Sequence, residues 1–138
     1  MDLRSRRAAG ILLIVLPTVI FGGVSVLSLL ISPASGYMDN PLRQNLWRAG
    51  HAHAGVFLIL SLVALRYVDE AVLSANSKEF VRWGIPSAAI LLPLAFFLSV
   101  ASPSATHPNA LIYLAYVGAA VLAAALLTLG IGLVRKVR

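Results

Sequence analysis

Four apolar stretches dominate this chain, each close to the ~20 residues that a helix needs to cross a bilayer. They cover about residues 9–31, 49–68, 84–101 and 110–134. Of the 138 residues, 59% are hydrophobic and 12% are charged, with a mean hydropathy of +0.89. A soluble domain carries about twice that charge. No segment between the stretches is long enough to fold separately. Residues 1–138 therefore read as a single transmembrane domain, all-α, built as an up-down-up-down four-helix bundle.

Lys and Arg set the expected orientation. Arg4, Arg6 and Arg7 precede the first span, Arg135, Lys136 and Arg138 follow the fourth, and Arg66, Lys78 and Arg82 flank the connector between spans two and three. The 102–109 loop carries none, and the loop before span two carries Arg43 and Arg48. Both termini are thus expected on the cytoplasmic side, with a bacterial plasma membrane as the location. The run from Gly10 to Ile31 exceeds the ~7–15 apolar residues of a signal-peptide core, so it reads as a retained span. The net charge of +6 reflects this terminal clustering, and nucleic acid is not an expected partner. The absence of cysteine removes disulfides, thiolate metal sites and thiol catalysis. No nucleotide motif, phosphate loop or nucleophile–base arrangement is present, so the chain is not expected to be an enzyme on its own.

Local signals punctuate the spans. Asn40-Pro41 is a cap and first-turn pair from which a helix can run to about Val68. Pro33 and Gly36 end span one, and Pro103 and Pro108 bracket the loop before span four. Pro17, Pro86 and Pro93 lie inside spans, where bends are expected. Trp47 and Trp83 are expected as anchors at opposite interfaces. In span four, Ala115, Ala119 and Ala123, and likewise Ala120 and Ala124, recur every four residues, and the expectation is that they pack the bundle itself. Asp69 and Glu70 are expected to pair with Arg66 and Lys78, Asp69–Arg82 to be a solvated connector, and Arg43 and Arg48 to be interfacial anchors.

Against this apolar background Gly50-His51-Ala52-His53-Ala54-Gly55 stands out. Ionisable groups are costly at membrane depth, so an intramembrane histidine is a functional-site hypothesis by default. At ~100° per residue the two rings point about 200° apart, so they cannot chelate one ion from a regular helix. His51 shares a face with Trp47 and Gly55, and His53 shares one with Ala49, Gly50 and Phe57. A glycine one turn from a ligand histidine leaves room for a flat macrocycle. The third histidine, His107, sits in the loop leading into span four, at the same end of the bundle.

The Gly-His-x-His-x-Gly pattern, opening a helix that runs inward, resembles the double-histidine helix of the haem–copper oxidases and nitric oxide reductases. It covers Gly50 to Gly55 and the apolar run after it, about a sixth of the chain. The resemblance implies that His51 and His53 are axial ligands to haem b on opposite sides of the helix, with Gly55 beside one of them. Six-coordinate haem needs two ligands per iron. His107, or less favourably Met38, is the candidate second ligand within this chain, and otherwise another subunit or a second copy must supply it. The further helices and histidines of that family are missing, so oxygen or nitric oxide reduction is not expected. The expected role is electron transfer or support of a redox complex.

Three other readings stand beside this one. Asp39 with His51 and His53 would suit copper or zinc. A quinone or proton-linked site would use the histidines with Arg43, Arg48, Tyr37, Tyr113 and Tyr116 around an outer pocket. A cofactor-free accessory subunit would leave the imidazoles as hydrogen-bonded packing groups. Its partners would be the lipid bilayer and other membrane subunits or a homo-oligomer.

Overall fold

The structure is a computed structural model that describes residues 1–135. Lys136 and Arg138 of the expected C-terminal basic cluster lie outside the described residues. Four helices carry the fold: α1 (Leu3–Ile31), α2 (Pro41–Tyr67), α3 (Ala75–Ser99) and α4 (Leu114–Val134), with two short 3-10 turns between α1 and α2 and one before α4. No strand occurs among the described residues. All four helical segments are long and apolar enough to cross a membrane.

The helix starts follow from their caps. The Asp2 carboxylate accepts from the Ser5 amide at 2.8 Å, so α1 begins at Leu3, within the basic cluster that precedes its apolar run. Asn40 accepts from the Arg43 amide, and Pro41 opens the first turn of α2, as the dipeptide predicts. Ser74 caps α3 through the Ser77 amide. Most of the expected solvated connector is therefore the first two turns of α3, which extends well before the apolar stretch at Gly84. Pro17, Pro86 and Pro93 are accommodated inside continuous helices.

The chain runs up-down-up-down. At one end the Val72 amide donates to Gly132 O (2.8 Å) and the Asp2 amide to an Asp69 carboxylate oxygen (2.7 Å), so the start of α1, the α2–α3 connector and the end of α4 meet there. We call this the terminal end. At the opposite end the Asn40 side chain donates to Pro103 O and Ala105 O, and the Asn109 amide to Ser99 O. Helix α3 is the hub, packed between α2 and α4, whereas α1 rests mainly on α2. The core gathers toward the terminal end, where Ala8 and Leu12 of α1 meet Leu58 and Leu65, Val81 and Ile85, and Ala125 and Leu129.

The α3–α4 seam corrects the expected alanine stripes. Ala119, Ala120, Ala123 and Ala124 face outward and Ala115 is half-buried, whereas the buried face of α4 is Gly118, Ala125, Leu129 and Gly132. A Cβ on Gly118 would collide with Leu92 and come within 3.1 Å of the Leu91 Cβ, and one on Gly84 would lie 3.2 Å from the Ala125 Cβ. Close helix approach is made by these glycines, not by the regular alanines.

The terminal end is locked by one buried cation. Arg82 of α3 is 3% exposed. Its Nη2 bonds Asp2 (2.7 Å) and Asp69 (2.6 Å), its Nη1 bonds Glu79 (2.8 Å), and its Nε donates to Ser5 Oγ (2.9 Å). Burial alone raises the Asp69 pKa, but the Asp2 amide, the Arg82 guanidinium and the Ser5 hydroxyl outweigh it and hold the carboxyl below its ordinary value. Of the expected pairings, Arg66–Glu70 forms; the Asp69 carboxylate goes to Arg82 instead, and Lys78 Nζ donates only to the Asp69 backbone carbonyl.

Three outcomes are expected for stability in detergent. Gly118→Leu should destabilise by about 1–3 kcal/mol through overpacking, whereas Ala119→Leu should leave the unfolding midpoint unchanged. Arg82→Gln should cost on the order of 3 kcal/mol, because Asp2 and Asp69 lose their counter-ion and Glu79 is left with Arg4 alone. Because the Asp69 pKa is lower folded than unfolded, its contribution is fully present above the ordinary carboxylate pKa of about 4 and is lost as pH falls through the folded value. Unfolding midpoints measured from pH 7 downward should decline more steeply below pH ~4 in the wild type than in Asp69→Asn.

Candidate intramembrane histidine site

His51 and His53 lie roughly 15 Å along α2 from Pro41, within the span. Their rings take opposite flanks, as the helical spacing requires. His51 turns toward α1 and His53 toward α3.

The seat of His51 is a glycine pair that the sequence gives no reason to single out. A Cβ built on Gly23 would come within 3.0 Å of both Cε1 and Nε2 of His51, and one on Gly22 within 3.7 Å of Nδ1. The missing side chains let the imidazole press against the α1 backbone. One turn further along α2, Gly55 faces Val19 of the same helix. The ring opens on two apolar grooves. One, of about 230 Å³, lies between α1, α2 and α3 and includes Thr18, Ala54, Pro93 and Phe97. The other, of about 400 Å³, follows the far side of α1 along Ile20, Val24 and Leu27. Among the described residues His51 has no protein hydrogen-bond partner, and His53 is the histidine whose ring bonds protein.

His53 is held differently. Its Nδ1 lies 2.7 Å from Ala49 O, one turn back. A carbonyl only accepts, so Nδ1 carries a proton, and in the neutral ring Nε2 then holds the lone pair. Phe57 and Phe96 flank the ring edge-to-face at 5.3 and 5.4 Å. Gly50, on the same flank, is covered by Phe96 and Phe97. The space beside Gly50 and Gly55 is thus filled by protein side chains.

The other expected participants are elsewhere. His107 is exposed in the loop, and Asp39 is exposed beside Pro103 and Ser104 in an open surface groove. Met38 is likewise exposed. No group of three metal-ligating side chains converges among the described residues, so the Asp39–histidine copper or zinc set is not assembled. The outer pocket expected for a quinone also does not form from its named residues. Arg43 is buried, not an interfacial anchor: its guanidinium donates to Val100 O (3.2 Å) and Ala101 O (3.4 Å), capping α3, and lies 4.4 Å over the Trp47 ring. Trp47 is accordingly a packing residue that donates to Phe97 O. Tyr37 is fully buried against Trp47, and burial raises its pKa against the partial opposition of Arg48 and Arg43. Tyr113 and Tyr116 stack on each other at the surface.

A haem can be tested against this donor set. Neither groove beside His51 carries a second histidine or a methionine, and the flank of His53 is aromatic. Among the described residues, no second axial ligand for a six-coordinate haem lies beside either ring. In comparisons with known proteins, no family profile, no curated protein and no solved structure matches the chain.

The three histidines should differ in reactivity. Diethyl pyrocarbonate applied in mild detergent should modify His107 first, His51 several-fold more slowly and His53 last, as followed by peptide mass spectrometry. Gly23→Leu should accelerate His51 specifically, because the larger side chain drives the ring off α1.

Proposed function

We propose that this small integral membrane protein binds a lipophilic ring cofactor of the quinone class at His51, in electron transfer or in support of a redox complex. One observation carries this reading. The His51 imidazole lies within the span, lacks a protein hydrogen-bond partner among the described residues, and borders an apolar groove. A polar group at that depth is costly without a partner. A quinone carbonyl accepts a hydrogen bond from a ring N–H, and Phe97 and Pro93 offer flat apolar contact for its ring. An isoprenoid tail can leave through the groove into lipid.

A second reading keeps haem, and His53 favours it. Its Nδ1–H is anchored to a backbone carbonyl and its Nε2 is left to ligate, which is the arrangement of ligand histidines. The other axial ligand would come from a second copy or a partner subunit. The accessory-subunit reading needs no cofactor at either ring.

One preparation separates the three. Protein purified in mild detergent is extracted with organic solvent for quinone, and its visible spectrum is recorded. Quinone in the extract of wild type, reduced at least tenfold in His51→Ala and kept in His53→Ala, is the expected result. A Soret band lost in His53→Ala would replace it with haem. A colourless, quinone-free protein that binds no short-chain naphthoquinone would leave the accessory role.

A further inference from the structure

The cleft beside His51 continues toward the terminal end, where its chemistry changes. Beyond the Arg82 node, α1 rests on α2 and stands off α3, leaving a cavity of about 290 Å³. Ile11 and Val15 of α1, Leu58 of α2, and Pro86 and Ile90 of α3 form its walls. Its two hydroxyls are spent on their own helices: Thr18 Oγ1 donates to Val15 O (2.8 Å) and Ser87 Oγ to Trp83 O (2.7 Å). The walls therefore ask for hydrocarbon and not for a polar ring.

At Ile11 and Trp83 this cavity opens into a mouth of about 420 Å³ lined by Arg4, Arg7, Glu79 and Arg82. Most of that charge is already paired. Glu79 is held by Arg4 (2.9 Å) and Arg82 (2.8 Å), and Arg82 is further neutralised by Asp2 and Asp69. Arg7 pairs with no carboxylate among the described residues and is exposed. Trp83, 47% exposed, borders both mouth and cavity, and tryptophan is a residue that membrane interfaces favour. The run from Arg7 to Thr18 spans about 16 Å of helix, half of a ~30 Å hydrocarbon core. A cation at a polar mouth, an aromatic collar and an apolar slot, which together span about one leaflet, describe an anionic amphiphile.

We propose that the α1–α3 cleft binds an anionic phospholipid of the leaflet at the terminal end, with its phosphate on Arg7 and one acyl chain between α1 and α3. The site does not involve His51, although the inner end of its slot shares Thr18, Val19 and Ala54 with the groove beside that ring. Native mass spectrometry of the full chain in mild detergent tests it, with dioleoyl phosphatidylglycerol and dioleoyl phosphatidylcholine as probes. Phosphatidylglycerol should bind more tightly, and Arg7→Gln should weaken it about fivefold, the discrimination one basic side chain gives at an anionic surface, while leaving phosphatidylcholine unchanged. Ser87→Phe, which fills the slot away from the headgroup, should abolish retention of both lipids, and His51→Ala should abolish neither. Glycerol phosphate and inorganic phosphate should not bind. Equal affinity for the two lipids, unchanged phosphatidylglycerol binding in Arg7→Gln, retention in Ser87→Phe, or binding of free phosphate would each overturn the proposal.

Discussion

A single buried guanidinium organises one end of this molecule. Arg82 sits where α1, the α2–α3 connector and α3 converge, and it holds Asp2, Asp69, Glu79 and Ser5 at once. A charge that far from water is tolerable only with its donors satisfied by fixed acceptors. Satisfying them brings together groups 64 to 80 positions apart in the chain. The planar fork of Arg suits this task, since it addresses several oxygens in one plane without rearrangement. The start of α1 is therefore pinned, and the direction of everything after it is constrained.

The rest of α1 is held far less. Leu12 is the last residue before Val26 to be buried within the chain. Between them the helix rests on α2 and diverges from α3, because nothing on α1 beyond the Arg82 node bonds α3 directly. That divergence makes the long cleft, with a basic mouth at the terminal end, a dry middle, and His51 toward the other end. The imidazole reaches its place because Gly22 and Gly23 remove the side chains that would keep α2 away. Glycine acts in the same way on the α3–α4 seam at Gly84 and Gly118. The contrast between the two seams is chemical. On one, glycine admits aliphatic groups and the seam closes; on the other, it admits a polar ring and leaves grooves beside it.

Much of this was legible in the residues. Hydropathy and length located four spans, Asn40-Pro41 located the start of α2, and the two-residue spacing of His51 and His53 put their rings on opposite flanks. Each of these depends on the local geometry of one helix, which composition and period reveal. The errors share a different cause. The alanine stripes of α4 have the spacing of a packing face, yet a helix apolar all round carries no record of which side meets its neighbours. Arg43 and Arg82 have the sequence context of interfacial charges, and only the fold shows that each is enclosed, one by carbonyls and the other by carboxylates. His107 and Asp39 lie at the same end as the histidine pair, but lateral position within that end depends on how each loop folds back. Gly22-Gly23 offered no signal, because a glycine pair in an apolar span has no distinctive partner until α2 is laid against it.

By itself the sequence determined what the bilayer and the single helix dictate: the number of spans, their alternation, the caps, and the two directions in which α2 presents its imidazoles. Lipid demands internally satisfied backbone, and the helix repeat distributes side chains around an axis, so both are local requirements. Tertiary structure decided which helix each imidazole meets, which cations are buried, and where α1 stands away from α3. Those outcomes depend on the fit of distant surfaces, and in a chain this uniformly apolar, small differences in side-chain shape and a few ion pairs choose among arrangements that hydropathy cannot tell apart.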